Sequence, residues 1–288
     1  MFQIVRKCNF SIEKKIGSGA NSIVYQGKLK GKNVAIKQLI NDHVKFNDYL
    51  NNELNILRKL QSKQYFIDIF GISRVQNKVY IFMEYFEYDL LKYIHKDNFW
   101  KRSIKYNDKI LPRLESFYYF EDNFYWNYTM KRGEKIYITK QLLNALNVLH
   151  EMNIIHGDIK SENFVYMNNI LKMIDFNTAT DLQKGNEINI ECKYGTEGYI
   201  SPEQYDYKLS YKSDIYSICI TILELWCGKI WIEDTINFKK NRNQIMKSLR
   251  ILEKGEIKLS KIIRKNISLK EKNRNKSIGK IIIKINEL

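Results

Sequence analysis

Four polar side chains in the segment IIHGDIKSENF and just beyond it have the types and spacing that phosphoryl transfer needs. Asp158 can accept the proton of an attacking hydroxyl group, and Lys160 can neutralise the charge that builds on the transferred phosphoryl group. Asn163 offers a neutral oxygen ligand to magnesium, a hard cation. Asp175, at the end of LKMID, offers a carboxylate that can bridge the metal and the phosphates. Together these residues predict metal-assisted transfer of a phosphoryl group to a hydroxyl.

A second group of candidate residues lies near the N-terminus. The glycine-rich turn IGSG, Ile16–Gly19, would let the backbone approach phosphates closely and donate its amides to them. An ordinary hairpin turn is the alternative reading of this motif taken alone. Lys37 ends the apolar run VAIK, where a buried ammonium needs a partner. Phosphate oxygens would supply one, and so would Glu53, which is otherwise a solvated carboxylate on a helix.

The elements that must position these groups change in character along the chain. Three runs rich in β-branched and aromatic residues, FSIEKKIG, SIVYQGKL and NVAIKQLI, predict antiparallel strands. Leucines at three- and four-residue steps from Leu50 to Leu60 predict a helix, and the runs YFIDIFGI and KVYIFMEY predict two further strands. After Asp89 the pattern is helical, with the amphipathic EKIYITKQLLNALNVLHEMN and the almost uniformly apolar YKSDIYSICITILELWCG.

Composition excludes several classes of protein. Of the 288 residues 44% are apolar, which is enough for a sizeable core, and the longest apolar run falls short of the roughly 18 residues that a membrane span needs. The four cysteines form no CxxC motif, so a disulfide scaffold or a zinc module is not expected. The first residues, MFQIVRKCNF, lack a signal-peptide pattern. We therefore expect an intracellular protein without a membrane span.

The order and spacing of these motifs resemble those of eukaryotic-type protein kinases over essentially the whole chain. GTEGYISPE, which ends at Glu203, resembles the end of the family's activation segment, and KSDIYS places Asp214 where the family has a buried, bracing aspartate. EKNRNKSI places Arg274 where the family's late arginine pairs with that glutamate. The resemblance implies an α+β bilobal fold. Its N-lobe (residues 1–84) would be an antiparallel sheet with one helix, and its C-lobe (residues 85–288) mostly helical.

The resemblance also implies ATP and Mg²⁺ as cofactors and proteins as substrates. Asp158 would be the catalytic base, Lys160 would assist the γ-phosphate, and Lys37, oriented by Glu53, would hold the α- and β-phosphates. The metal ligands would be Asn163 and Asp175. The predicted nucleotide contacts are Ile16, Gly17, Ser18 and Gly19 in the loop, Val24 and Ala35 on adenine, Met83 as gatekeeper, and Glu84 to Phe86 in the hinge.

Three features depart from the family pattern. Gly157 stands where most of the family has an arginine, so the catalytic loop lacks the cation that clamps a phosphorylated activation segment. Asn177 stands where the family has glycine, and since asparagine tolerates positive φ we expect restricted flipping of Phe176 and no lost metal ligand. An insertion at about 97–133, with eleven aromatic residues, is either a self-packed excursion or a partner-docking patch.

Within the family, Lys160 and the Gly195–Thr196 pair resemble the serine/threonine branch. The runs FMEYFEYDL and LKMIDF, with the catalytic loop lacking arginine, also resemble the monopolar-spindle (spindle-checkpoint) kinases, a dual-specificity subgroup. A nucleotide-binding pseudokinase scaffold is the alternative, although Lys37, Glu53 and Asp158 are all present.

Net charge is distributed unevenly. The chain carries +16, yet the segment from Lys239 to Lys284 holds 16 basic and 3 acidic residues, so the remainder carries only +3. The excess therefore belongs to the last predicted helices rather than to the phosphate site. This distribution makes nucleic acid an unlikely partner and predicts a basic docking face for an acidic partner, with compositional drift as the alternative.

Overall fold

The computed structural model describes residues 2–19, 22–40, 44–75, 78–95, 130–182, 185, 187–191, 195–228 and 238–288, without the side chains of residues 44–50 and 238–240. Most of the predicted aromatic insertion lies outside these residues.

The N-terminal part is a five-stranded antiparallel sheet with one helix. The strands are β1 (Phe10–Gly19), β2 (Ser22–Leu29), β3 (Lys32–Leu39), β4 (Ile69–Val75) and β5 (Lys78–Met83), in the order β1-β2-β3-β5-β4. Helix α1 (Val44–Leu60) connects β3 to β4. The central strand β3 is buried at every residue from Val34 to Leu39, which explains its nearly continuous apolar sequence.

The remainder is mainly helical. The helices are α2 (residues 90–95), α3 (Arg132–Glu151), α4 (Pro202–Tyr205), α5 (Tyr211–Cys227), α6 (Phe238–Gly255), α7 (Ile257–Asn266) and α8 (Gly279–Asn286). Every residue of α5 from Ser213 onward is buried, as its apolar sequence predicts, and Ser210 begins the helix with a capping box. The α+β protein-kinase fold expected from the sequence is confirmed; the lobe boundary at Glu84 stays a prediction.

Short strands hold the segments that carry the candidate catalytic residues. Strands β6 (Tyr88–Asp89), β8 (Phe164–Met167) and β9 (Ile170–Met173) form a three-stranded sheet. Two further sheets have two antiparallel strands each: β7 (Ile154–Ile155) pairs with β10 (Thr180–Asp181), and β11 (Glu187–Asn189) pairs with β12 (Lys208–Ser210). Because β7 and β8 flank residues 156–163, and β9 and β10 flank residues 174–179, both candidate segments are anchored at their two ends.

One hydrophobic cluster joins helix α1, which packs with the N-terminal sheet, to the helices of the C-terminal part. It contains Leu57 of α1, Leu142 of α3 and Ile218 of α5, all buried. Phe176 is fully buried in the same cluster, with its ring centroid 6.1 Å from that of Phe66 and 5.3 Å from that of His156. The aromatic side chain of the IDF motif therefore ties the catalytic segment to the core. Across the described residues, we find no helix with the length and apolarity that a bilayer crossing requires.

Candidate active site

Lys37 and Glu53 form a buried ion pair between β3 and α1. The Nζ of Lys37 donates to Oε1 of Glu53 over 2.7 Å, and the two residues are only 6% and 4% exposed. Neighbouring strands fix the lysine, which lies opposite Val24 of β2 and Ile81 of β5. A buried ammonium on a central strand is thus held by a carboxylate from the helix that follows it.

Two further oxygens reach the same ammonium. Nζ of Lys37 donates to Oδ1 of Asp175 and to Oδ1 of Asn177, each over 3.1 Å. Burial alone would lower the pKa of Lys37, but the charges of Asp175 and Glu53 outweigh it and raise that pKa. Burial likewise opposes ionisation of Asp175, yet the nearby Lys37 holds its pKa below the ordinary value. Both groups are therefore charged at neutral pH.

In the IDF motif, the residue with positive φ is not the one that the sequence indicates. Positive φ, at 60°, occurs at Asp175 rather than at Asn177. Aspartate tolerates this left-handed conformation because its short polar side chain can bond locally. The expectation that Asn177 takes the positive φ of the family's glycine is wrong, and its side chain instead bonds to Lys37.

Asp158 lies at the centre of a compact polar cluster. Its Oδ2 is 3.1 Å from Nζ of Lys160, and its Oδ1 accepts a hydrogen bond from Oγ1 of Thr196 over 2.8 Å. Lys160 Nζ also donates to Thr196 Oγ1 over 2.6 Å. The threonine hydroxyl therefore bridges the candidate base and the candidate lysine.

Asn163 is oriented by its bonds to Asp158. Its Nδ2 donates to the backbone carbonyl of Asp158 over 2.7 Å and to that residue's Oδ2 over 3.2 Å. With the amide nitrogen engaged in this way, the amide oxygen is the atom that can bind a cation. Carboxylate and amide oxygens suit a hard divalent metal, so the donor set of Asn163 and Asp175 fits Mg²⁺.

A buried aspartate on α5 fixes the backbone of the catalytic loop. Asp214 accepts from the backbone amides of His156 over 2.8 Å and Gly157 over 2.9 Å. Nε2 of His150, at the end of α3, lies 3.0 Å from Oδ2 of the same carboxylate. Gly157 has φ of +80°, and an added Cβ would lie 3.1 Å from the carbonyl oxygen of Thr178. The loop thus has a backbone shape that favours glycine at the position where the family has arginine.

The end of the activation segment is anchored to the last helices by Glu203 and Arg274. Both terminal nitrogens of the guanidinium donate to the carboxylate, over 2.6 and 2.8 Å. Oγ of Ser213 donates to Glu203 over 2.8 Å, and the guanidinium carbon lies 5.0 Å from the ring centroid of Tyr216. Every residue of this cluster is buried. The position of the end of the activation segment therefore depends on α5 and on the chain that leads into α8.

The predicted nucleotide contacts lie along the sheet in register. The cross-strand pairs are Gly17 with Val24, Ser18 with Ile23, Gly19 with Ser22, Val24 with Lys37, and Ala35 with Met83. Ile16 lies in a bulge of β1. In the predicted hinge, the carboxylate of Glu84 binds Lys172 at 2.5 Å, and Phe86 packs against the main core. The backbone amide of Glu84 donates to the carbonyl oxygen of Asp68 over 3.1 Å, and its contact with adenine stays a prediction.

Sequence reasoning missed three parts of this site. The hydroxyl bridge of Thr196, the bond from Lys37 to Asn177 and the contact of His150 with Asp214 each join residues at least 36 positions apart. The signal for Thr196 and Asn177 was present, since both lie in recognised motifs, but a motif gives no side-chain geometry. His150 had no distinguishing signal within its amphipathic helix.

Comparison with known proteins identifies the family of this chain. The model of the protein kinase domain matches residues 10–284. This chain belongs to the protein kinase family. The kinase is 30% identical over 224 residues to leaf rust 10 disease-resistance locus receptor-like protein kinase-like 1.2 of Arabidopsis thaliana, which covers 75% of the chain and 30% of the relative.

The names of two other relatives of the kinase state different specificities. It is 26% identical over 266 residues to dual specificity protein kinase TTK of Mus musculus, covering 86% of the chain and 28% of the relative. It is 27% identical over 253 residues to serine/threonine-protein kinase ATG1 of Kluyveromyces marxianus, covering 77% and 29%. The kinase thus spans about a third or less of the length of these relatives. The family implies ATP and a divalent metal in general, while the activity of this chain and its subgroup stay predictions.

Proposed function

We propose that this kinase transfers the γ-phosphate of ATP to serine and threonine hydroxyls of protein substrates, with Mg²⁺ as its metal. The observation that carries the proposal is the Thr196 bridge, whose hydroxyl lies 2.8 Å from Oδ1 of Asp158 and 2.6 Å from Nζ of Lys160. It ties the activation segment directly to the candidate base and lysine. A substrate held by that segment would present its hydroxyl beside Asp158.

The chain's own residues would then act in a defined way. Asp158 accepts the proton of the substrate hydroxyl as that oxygen attacks, and Lys160 neutralises charge on the transferred group. Lys37, kept charged by Glu53, binds the α- and β-phosphates. When bound, Mg-ATP supplies the phosphoryl group, and Asn163 and Asp175 would hold the metal.

The preference for serine and threonine rests on two observations. Lys160 follows Asp158 by two residues and contacts both its carboxylate and Thr196, and this lysine and the Gly195–Thr196 pair resemble the serine/threonine branch. The name of the ATG1 relative is serine/threonine-protein kinase, while that of the TTK relative is dual specificity protein kinase. Tyrosine phosphorylation is therefore the secondary activity to test, together with the spindle-checkpoint assignment.

The test is incubation of the full chain with radiolabelled Mg-ATP and three basic peptides that differ only in carrying Ser, Thr or Tyr. We expect label on the Ser and Thr peptides, and its loss in the Asp158→Asn variant. Binding of Mg-ADP without transfer would instead support the pseudokinase scaffold. Equal labelling by the wild type and Asp158→Asn would overturn the proposed activity, because a contaminating kinase would then explain the signal.

We also propose that the basic C-terminal face docks an acidic segment of a protein partner. An open groove of about 590 Å³ lies between the end of α7, the 3₁₀ turn Glu271–Asn273 and α8. The exposed lysines that line it are Lys265, Lys272, Lys276, Lys280 and Lys284. None of them forms an ion pair with another residue in the part of the chain that the structure describes. Glu287 also lines the groove, but positive charge is in excess there, and such an excess favours an acidic, extended partner.

Reversal of charge in the groove tests this second proposal. We expect replacement of Lys265, Lys276, Lys280 and Lys284 by Glu to abolish binding of a fluorescent Asp/Glu-rich peptide while a short peptide substrate is still phosphorylated. The control replaces Lys30, Lys32, Lys63 and Lys78, exposed lysines of the sheet region, with the same change in net charge. Equal loss in both variants would contradict a specific groove, and tighter binding to duplex DNA than to the peptide would favour nucleic acid.

A further inference from the structure

The ammonium of Lys37 has all its hydrogen-bond donors engaged by protein oxygens. An ammonium carries three N–H donors. Glu53 accepts at 2.7 Å, and Asp175 and Asn177 accept at 3.1 Å each. Lys37 is 6% exposed, so water offers little alternative solvation. A phosphate oxygen that bonds to Lys37 must therefore displace one of these three acceptors.

The three acceptors differ in strength. Glu53 and Asp175 are carboxylates, whose full negative charge attracts the ammonium more strongly than a neutral amide oxygen does. Asn177 offers a neutral amide oxygen, and it lies on the partly buried turn after Phe176 rather than on a helix. Because its oxygen carries no full charge, Asn177 is the acceptor that a phosphate would displace.

Asn177 also distinguishes this chain from kinases with glycine at the same position. Glycine has no side chain and could not contact the lysine at all. The positive φ of the motif lies at Asp175, so the backbone at Asn177 does not require glycine. The asparagine is thus accommodated without a left-handed backbone, and its side chain is available for a role of its own.

We propose that Asn177 is a positioning residue that competes with the nucleotide phosphates for Lys37 and so weakens nucleotide binding. In the nucleotide-free kinase its amide oxygen holds the third donor of the ammonium. On nucleotide binding that donor passes to a phosphate oxygen. This inference rests on the proposed function, because it takes Lys37 as the phosphate-binding lysine.

The direct test is the Kd of Mg-ADP measured by isothermal titration calorimetry. Removing the competing oxygen in Asn177→Ala is expected to lower the Kd about three- to tenfold, which corresponds to the net worth of one hydrogen bond. Asn177→Gly gives a second variant that removes the same oxygen and should shift the Kd in the same direction. An unchanged or increased Kd in both variants would overturn the proposal.

A double-mutant cycle separates competition from a general effect on the turn. In a Lys37→Met background the ammonium is absent, so Asn177→Ala should leave the remaining affinity for Mg-ADP unchanged. The matched control is Thr178→Ala, since Thr178 lies in the same turn but donates to the carbonyl oxygen of His156 and does not contact Lys37. We expect no decrease in Kd for that control.

The outcomes separate this inference from the proposed function. Failure of the folded wild type to bind Mg-ADP would contradict the proposed function itself. Normal binding with no coupling between Asn177 and Lys37 would overturn only the competition. A decrease of the same size in the Thr178→Ala control, or in the Lys37→Met background, would likewise assign the effect to the turn rather than to the lysine.

Discussion

Arg274 and Glu203 lie 71 residues apart in the chain and meet in a buried ion pair joined by two hydrogen bonds. The guanidinium side chain is 0% exposed and the carboxylate side chain 10% exposed. A third bond, from Oγ of Ser213, satisfies the carboxylate further. Removal of either partner would leave an uncompensated charge away from water.

The first prediction concerns the stability that depends on this pair. We expect Arg274→Met to lower the free energy of unfolding by about 3–5 kcal/mol, the usual cost of breaking a buried pair. The control is Arg264→Met, since Arg264 and Glu253 form a pair that is 41% and 43% exposed. Its loss should cost at most about 1 kcal/mol. Urea denaturation measures both, and equal costs would contradict the buried role of Arg274.

The second prediction is a dependence of stability on pH. Burial would raise the pKa of Glu203, but the hydrogen bonds and charge of Arg274 outweigh it and lower that pKa. A carboxylate whose pKa is lower in the folded state stabilises the fold above its unfolded pKa, about 4.3, and that contribution disappears as the pH falls through the folded pKa.

The corresponding measurement is unfolding free energy against pH for the wild type and Glu203→Gln. Below about pH 4 the wild type should lose stability more steeply than the variant, because glutamine does not titrate. Glu253→Gln, which removes the carboxylate of an exposed pair, is the control and should change the stability by at most about 1 kcal/mol. Parallel curves for the wild type and Glu203→Gln would show that Glu203 titrates alike in both states.

Sequence predicts those parts of this kinase that local pattern determines. The apolar run VAI in β3 and the apolar sequence of α5 specify buried elements, and the fold follows from their order. Motif spacing also predicts which residues share the site. Side-chain partners are different, because the bonds of Thr196 and Asn177 depend on how distant segments meet after folding. The positive φ at Asp175 has the same origin, since tertiary contacts impose it on a residue that seldom adopts it.

The third prediction concerns the glycine of the catalytic loop. Gly157 and Gly31 have nearly equal positive φ, +80° and +81°, but a Cβ at Gly157 would crowd Thr178 and Leu209, whereas one at Gly31 would meet nothing within 4 Å. We expect Gly31→Ala to cost about 1–2 kcal/mol from the left-handed backbone alone. Gly157→Ala should cost more and should also slow phosphoryl transfer. Thermal and chemical denaturation measure the loss of unfolding free energy in the two variants. Equal losses would show that the catalytic loop shifts enough to accommodate the added Cβ at position 157.

The fourth prediction concerns the hydroxyl bridge. Thr196→Val keeps the shape of the side chain and removes the oxygen that joins Asp158 to Lys160. We expect kcat for a peptide substrate to fall about 10- to 100-fold, while Thr196→Ser restores most of it because serine retains the hydroxyl. Nucleotide Kd, which reports on Lys37 rather than Thr196, should change little. Full activity in Thr196→Val would show that the bridge has no role in turnover.

The last prediction is that basal activity does not require phosphorylation of the activation segment. Gly157 offers no cation to a phosphate, and α1 is already joined to the start of the segment. Nδ2 of Asn52 donates to the carbonyl oxygen of Ala179 over 2.9 Å, and Lys59 pairs with Asp181. These contacts keep Glu53 beside Lys37 without a phosphate.

Treatment with a broad-specificity phosphatase, followed by its removal, should therefore leave peptide phosphorylation within about twofold of the untreated rate, because Gly157 offers no charge-assisted bond to a phosphate. The Asn52→Ala/Lys59→Ala variant removes both links and should lose more activity than dephosphorylation does, through displacement of Glu53. Mass spectrometry checks that the phosphates are gone. A loss above tenfold that returns on preincubation with Mg-ATP would instead mean that the segment relies on phosphorylation despite Gly157.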